Sequence, residues 1–314
     1  MLSKLRPLLE TVQHVVFMGD GSLPDGCVDY ESLIAESDPM RDISEGGSEL
    51  AGLFYTGGTT GRSKGVMLSH DNLVFNALNV VPEMDYGSGT IYMHAAPMFH
   101  LADMASTFAV TLAGGTHGIV PRFDIDDVLS FIERERVTHA LLVPTMINLL
   151  INHPDIELAD LSALDFVAYG ASTIPPTLLA KAIEVFDADF CQLFGMTETS
   201  GCTALRPEDH DPENKPHLLA SAGVVAHGFE VRVVDDQDID VQVGEVGEVI
   251  CRGPALMDGY LGDEEATAAA LRGGWMHTGD LGKLDDDGYL YITDRKKDMI
   301  ISGGENIYPR EVED

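Results

Sequence analysis

At 314 residues the chain is long enough for one large domain or two smaller ones, and its 45% hydrophobic content is that of a globular protein with a substantial core. With 52 acidic residues against 19 basic ones the formal charge is −33, which argues against nucleic acid and against anionic membrane surfaces as partners. Cys27, Cys191, Cys202 and Cys251 show neither CxxC nor Cys/His spacing, so neither a zinc site nor a disulfide framework is indicated, and the thiols are expected reduced and mostly buried. The first residues do not join basic charge to an apolar run, and no integral membrane segment is expected; these features together predict a soluble, cytoplasmic protein.

In chain order, the apolar run His14 to Gly19 reads as a buried parallel strand, and the Gly19-Asp20-Gly21 that ends it is a turn, since Pro24 stands where a dinucleotide fingerprint needs its third glycine. The acidic stretch Ile34 to Ser48 is a connection, followed by a strand over Leu50 to Tyr55. A helix begins near Leu73, with Ser69 or Asp71 as its N-cap. From Thr90 to Leu205 the pattern alternates between strands and helices. Strands are expected over Ile91 to Pro97, Gly118 to Pro121, Ala140 to Val143 and Asp189 to Leu193, with helices over Asp124 to Arg136 and Pro175 to Phe186. Pro144 divides the apolar run His139 to Ile151 into a strand and a helix start. This is an α/β pattern with parallel sheets flanked by helices. After Arg206 short strands with glycine turns (Phe229 to Val234, Gly247 to Arg252, Tyr289 to Thr293) predict a small β-rich subdomain, with Asp235 to Asp240 as a solvated hairpin tip. The expected division is 1–205, an α/β nucleotide- and acyl-binding part; 206–294, the β-rich part; and 295–314, a hinge with the start of a further domain.

Between two apolar runs lies Tyr55-Thr56-Gly57-Gly58-Thr59-Thr60-Gly61-Arg62-Ser63-Lys64-Gly65. Its glycines let backbone N–H groups approach an anion, Thr59 and Thr60 add hydroxyl donors, and Lys64 adds a point charge; read alone, the segment therefore suits phosphate better than the alternative of a flexible solvated turn. It is not a Walker A loop, because Lys64 follows Ser63 and precedes Gly65. In so acidic a chain, bound phosphate would need oriented N–H groups, Lys64 and a divalent cation. Ligands of open α/β sheets lie beyond the carboxyl ends of the strands, where this loop, Gly170-Ala171-Ser172 and Gly195-Met196-Thr197-Glu198 are all expected.

The loop is followed, in fixed order, by Gln192-Leu193-Phe194-Gly195-Met196-Thr197-Glu198-Thr199, Gly274-Trp275-Met276-His277-Thr278-Gly279-Asp280 and Asp294-Arg295-Lys296-Lys297-Asp298. Together these four segments closely resemble the adenylate-forming superfamily of acyl-CoA synthetases, peptide-synthetase adenylation domains and beetle luciferases, from about Leu50 to the last residue. The resemblance implies the N-terminal domain of that superfamily, present in part. It also implies a two-step reaction. A carboxylic acid reacts with ATP to give acyl-AMP and pyrophosphate, and the acyl group then passes to a thiol, usually that of coenzyme A.

By the same resemblance Thr56, Gly57, Gly58, Thr59, Thr60 and Lys64 hold the β- and γ-phosphates, Thr197 contacts the α-phosphate, and Glu198 binds Mg²⁺. Gly170, Ala171 and Ser172, with Gln192, Leu193, Phe194 and Gly195, wall the adenine. Asp280 accepts from the ribose hydroxyls, with Arg295 as a second ribose or phosphate contact. His100 stands at the acyl-pocket entrance with Ala102 two residues on, Lys297 is the hinge, and Asn306 belongs to the glycine-rich turn that coenzyme A and AMP pass. Catalysis would rest on Thr197, Glu198 and Lys64. Ala102, where plant coumarate ligases carry tyrosine, favours an aliphatic acid, and the wording of the motifs resembles bacterial or archaeal fatty-acyl-CoA synthetases. An aryl-CoA ligase, an amino-acid adenylation domain and a non-catalytic nucleotide-binding remnant are the alternatives; Asp103 lies near the place where an amino group would need an acid. Superfamily members extend further at both ends, and a lysine late in their C-terminal domain has no counterpart here. The chain by itself is therefore expected to be catalytically incomplete, and its sheet edge to be open to aggregation or to a homodimer.

Overall fold

A computed structural model describes residues 2–8, 10–19, 21–40, 46–56, 63–295, 300–302 and 305–307. The chain divides into two compact units, residues 1–45 and 46–314. In the first, helix α1 (Leu2–Leu5) precedes strands β1 (Val16–Phe17) and β2 (Val28–Asp29), which pair in parallel, and helix α2 (Tyr30–Glu36) is capped by Asp29, whose carboxylate accepts from the Ser32 amide. The strand expected over His14 to Gly19 is thus two residues long and is not buried: Val16 and Val28 are 42% and 39% exposed. So short a ladder offers no face on which a core could form.

The second unit begins with β3 (Leu50–Thr56) and β4 (Lys64–Ser69), an antiparallel pair. Helix α3 (His70–Glu83) starts at once, because Ser69 and Asn72 close a reciprocal cap in which each side chain accepts from the other's amide. Strand β5 (Ile91–His94), helix α4 (Leu101–Ala113), β6 (Thr116–Ile119), helix α5 (Ile125–Glu135), β7 (His139–Leu141), helix α6 (Pro144–Ile151), β8 (Phe166–Gly170), helix α7 (Pro176–Phe186) and β9 (Asp189–Met196) follow in alternation, as the sequence predicts in outline, although it assigned no bounds to α4 or β8. Then come β10 (Ser200–Leu205), β11 (Val224–Val225), β12 (Glu230–Val234), β13 (Gly247–Arg252), β14 (Gly259–Tyr260), helix α8 (Glu264–Ala270), β15 (Met276–Leu284), β16 (Leu290–Arg295), and the hairpin β17 (Ile300–Ser302) and β18 (Glu305–Ile307).

The main sheet has the order β11-β10-β9-β8-β7-β5-β6. Its five strands from β6 to β9 run parallel, whereas β10 and β11 are antiparallel, so the sheet is mixed where a parallel one was expected. The period-2 alternation of a strand sends Tyr92, Leu141, Phe166, Ala168 and Cys191 to the face covered by α3 and α4, and Met93, Ala140, Val167, Tyr169 and Phe190 to the face covered by α5, α6 and α7. On α5, Val128 and Ile132 lie one turn apart and are fully buried, each worth about 1.5–3 kcal/mol relative to exposure. Three antiparallel sheets, β14-β4-β3, β12-β13-β15-β16 and the two-stranded β17-β18, complete the unit among the described residues. The tip at 235–240 folds as a turn bridged by Val234 and Asp240, but two of its acids are ion-paired: Asp240 with Arg232 and Asp238 with Arg272. All four cysteines are free, and three are buried. No described helix is long and apolar enough to cross a membrane.

A buried histidine joins β8 to the segment after β10. His210 Nδ1 lies 2.8 Å from the Arg206 carbonyl, which can only accept, so Nε2 of the neutral ring accepts from the Tyr169 hydroxyl at 2.9 Å. Burial pushes the His210 pKa from 6.5 down to about 4. Between those values the unfolded chain binds the extra proton and the folded one does not, so stability falls as pH drops through this window, by about 3 kcal/mol once pH 4 is reached. Denaturant unfolding at pH 7.5, 5 and 4 should show this acid loss in the wild type and a shallower one in His210→Gln; equal slopes would refute it.

Candidate active site

The strands that flank the glycine- and threonine-rich segment pair antiparallel. Thr56 ends β3 opposite Lys64, which begins β4, and β4 separates the loop from α3. No sequence signal had marked β4, because its Lys-Gly-Val-Met-Leu-Ser run merges with the start of α3. Gly57, Gly58, Thr59 and Thr60 lie outside the described residues, as does Lys297; Asn306 falls in β18, and its side chain is likewise outside them. At the foot of the hairpin lies a cleft of about 450 Å³ lined by Tyr55, Ser63, Lys64, Gly65, Tyr260 and Asp263, among others.

Strand β14 pairs with β4, Tyr260 opposite Val66, and brings Tyr260 into this cleft. The Lys64 ammonium lies 4.6 Å from the centre of the Tyr260 ring, within cation–π range. The Tyr260 hydroxyl donates to Glu198 Oε1 at 2.8 Å. Burial, and next the Glu198 carboxylate, raise the Tyr260 pKa, which keeps the hydroxyl protonated and donating. Glu198 is 4% exposed, and its Oε2 is buried with no hydrogen-bond partner among the described residues. An orphaned carboxylate oxygen in a buried position is a feature that a hard cation would satisfy.

Glu198 is held by the tip between β9 and β10. Gly195 pairs with Gly201 and Met196 with Ser200, leaving Thr197, Glu198 and Thr199 as the turn. Thr199, which sequence reasoning did not single out, is fully buried: its Oγ1 accepts from the Met196 amide at 2.9 Å and donates to the Ser200 carbonyl at 2.8 Å. The Glu198 carbonyl accepts from the Met257 amide at 2.9 Å, tying the tip to the segment before Tyr260. Tyr260 was missed as well, since it lies 62 residues from Glu198 with no motif between them.

The residues assigned to the adenine walls are brought together. Gly170 ends β8 opposite Leu193 on β9, and a side chain at Gly170 would lie 2.6 Å from the Leu193 carbonyl, so glycine is required by the close approach of the strands. Ala171 follows with φ +65°, a conformation strained for alanine and one that turns the chain sharply out of the sheet. Ala171 and Ser172 are exposed, Gln192 is half-buried, and the half-buried Phe194 packs against the clusters that link this sheet to the four-stranded one. In that second sheet Asp280 and Arg295 face each other across β15 and β16, with 3.5 Å between Nε and Oδ1. The Thr278 hydroxyl accepts from the Asp280 amide and donates to the Val249 carbonyl, holding this part of β15 to β13.

His100 occupies the N-cap position of α4 without a side-chain capping bond and is exposed, with its ring 4.5 Å from that of Phe99; Ala102, the second residue of the helix, is exposed. Asp103 points the other way. It is fully buried, accepts from the Tyr92 hydroxyl at 3.0 Å, and lies 2.7 Å from His94 Nδ1, so its carboxylate is engaged in the core.

A seven-stranded sheet flanked by helices on both faces, followed by antiparallel sheets, places the chain in the α/β class. The AMP-binding enzyme family model matches residues 2–261, and the chain belongs to that family. It is 42% identical to a feruloyl-CoA synthase of Amycolatopsis, over 90% of this chain and 56% of that protein. It is 36% identical to a medium/long-chain-fatty-acid–CoA ligase of Mycobacterium tuberculosis, over 98% of this chain and 54% of that protein. The structure of an amide bond synthetase from Marinactinospora thermotolerans superposes with a TM-score of 0.84 at 34% identity, covering 99% of this chain and 60% of that one. The chain thus spans little more than half the length of these relatives.

Proposed function

We propose that this chain is the nucleotide- and acyl-binding part of an AMP-forming acid–thiol ligase, which condenses a carboxylic acid with ATP to acyl-AMP and pyrophosphate and then transfers the acyl group to coenzyme A. The observation that carries the reading is the convergence of Lys64, Tyr260 and the unpartnered Glu198 Oε2 beside the hairpin cleft. In an adenylation step the acid's carboxylate oxygen attacks the α-phosphorus and pyrophosphate leaves, so the protein's task is to position the groups and neutralise charge. Lys64, with Thr56 to Thr60, is assigned to the terminal phosphates and Thr197 to the α-phosphate. Mg²⁺ on Glu198 would supply the remaining positive charge that a chain of net charge −33 lacks. Gly170 to Ser172 and Gln192 to Gly195 are assigned to adenine, and Asp280 with Arg295 to the ribose; the cross-strand pairing of these last two supports a joint role. Lys297 as hinge, Asn306 on the coenzyme A path, the division at 205 and 294, a cytoplasmic location and a homodimer belong to the same reading.

Two acyl classes have separate support. The exposed, small Ala102 beside His100 leaves room for an aliphatic chain, and the feruloyl-CoA synthase relative favours an aryl acid. An amino-acid substrate is disfavoured, since Asp103 is engaged by Tyr92 and His94. Calorimetric titration with non-hydrolysable acyl-adenosine sulfamates, from acetyl to palmitoyl and including feruloyl, should give Mg²⁺-assisted binding that strengthens along one series. No binding by any member, to this chain or to one extended through a complete C-terminal domain, would refute the reading.

A further inference from the structure

The sequence motifs account for Lys64 and Glu198 separately, but the fold connects them through one side chain that no motif marks. Tyr260 touches both: its hydroxyl holds Glu198 Oε1 at 2.8 Å, and its ring lies 4.6 Å from the Lys64 ammonium. The residue is itself fixed from both sides. Its amide donates to Thr267 Oγ1 at 2.9 Å, the Thr267 hydroxyl donates to the Asp263 carbonyl at 2.8 Å, and the next amide, of Leu261, donates to the Gly65 carbonyl at 2.8 Å. Tyr260 is 8% exposed, so its orientation is set by packing as well as by these bonds.

We infer that Tyr260 is a positioning residue that sets the two charged groups of the site from a single aromatic side chain. Its hydroxyl occupies one oxygen of Glu198 and turns the other toward a divalent cation, while its ring seats the Lys64 ammonium beside the loop until phosphate draws it away. The inference rests on the nucleotide-binding reading above. Its physical basis is that a carboxylate with one oxygen already bonded loses less freedom when the other meets a cation, and partners behind a metal ligand commonly change metal affinity by an order of magnitude or more. The ring contact with Lys64 is weaker and is readily exchanged for phosphate oxygens.

The two roles separate by substitution. Tyr260→Phe keeps the ring and removes the bond to Glu198; Tyr260→Leu removes both. Binding of α,β-methylene-ATP should be measured by calorimetry as a function of Mg²⁺ concentration. Tyr260→Phe should need about tenfold more Mg²⁺ for half-maximal binding, with its affinity at saturating Mg²⁺ near that of wild type. Tyr260→Leu should show the same Mg²⁺ shift, with an affinity at saturating Mg²⁺ no lower than that of wild type, since the Lys64 ammonium no longer has to leave the ring. A Mg²⁺ dependence unchanged in Tyr260→Phe, while wild type binds normally, overturns the inference and leaves the nucleotide reading standing. If wild type binds no nucleotide at any Mg²⁺ concentration, the nucleotide reading fails instead. The inference is then decided by the ring-current shift of the Lys64 ε-methylene protons: retained in Tyr260→Phe and lost in Tyr260→Leu, it supports the seat; absent from wild type, it overturns it.

Discussion

Glu198→Gln should lower the affinity for Mg²⁺ with α,β-methylene-ATP about 100-fold, near 2.7 kcal/mol, with little change in thermal stability. The glutamine carbonyl still accepts from the Tyr260 hydroxyl, and the backbone bond from the Met257 amide is untouched, so the tip keeps its shape. What disappears is the negative charge that a hard cation requires. Calorimetry with and without Mg²⁺ separates the effects: the variant should bind nucleotide almost independently of Mg²⁺. Full Mg²⁺ dependence in the variant would mean that the cation is held elsewhere, and the role of Glu198 would have to be abandoned.

Gly195→Ala should be the most damaging single methyl group that can be added near the site. An added Cβ would lie 1.6 Å from the Ser200 carbonyl oxygen and 2.7 Å from its carbon, both backbone atoms of the paired strand. The chain cannot yield locally, because Ser200 already holds φ +58° and Thr199 pins the turn from inside. The expected cost is about 3 kcal/mol or more, as unfolding or as a displaced tip that no longer presents Thr197 and Glu198. Gly201→Ala is the control. There the new methyl would meet only Leu193 side-chain atoms at 3.2–3.4 Å, which can shift, and the loss should stay below about 1.5 kcal/mol. Equal stability of the two variants in urea unfolding would contradict this account of the hairpin.

The resemblance to the adenylate-forming superfamily was legible because its motifs are contiguous. Each of the segments containing Lys64, Glu198 and Asp280 is a run of neighbouring residues whose chemistry can be read without knowing the fold. The alternation of strands and helices between Thr90 and Leu205 was legible for a related reason: β5, β7 and the first half of β9 are buried on both faces and stand out as apolar runs between turns, whereas β6, at the sheet edge, is largely exposed. Errors fell where tertiary pairing overrides local pattern. Strand β4 was not read as a strand, because only its pairing with β3 and β14 makes it one. The direction of β10, which makes the main sheet mixed, is set by the tight tip at 196–200 and not by composition.

Local chemistry therefore determined the phosphate-loop composition, the identity of the glutamate and the succession of elements, since these depend on residues near one another in the chain. Which groups meet was decided only by the tertiary structure. Tyr260 reaches Glu198 across 62 residues, Asp280 meets Arg295 across a strand pair, and Asp103 turns from the start of α4 into the core to engage His94 and Tyr92. Such contacts follow from sheet register and helix packing, which place distant residues within a few ångströms and leave no trace in their spacing.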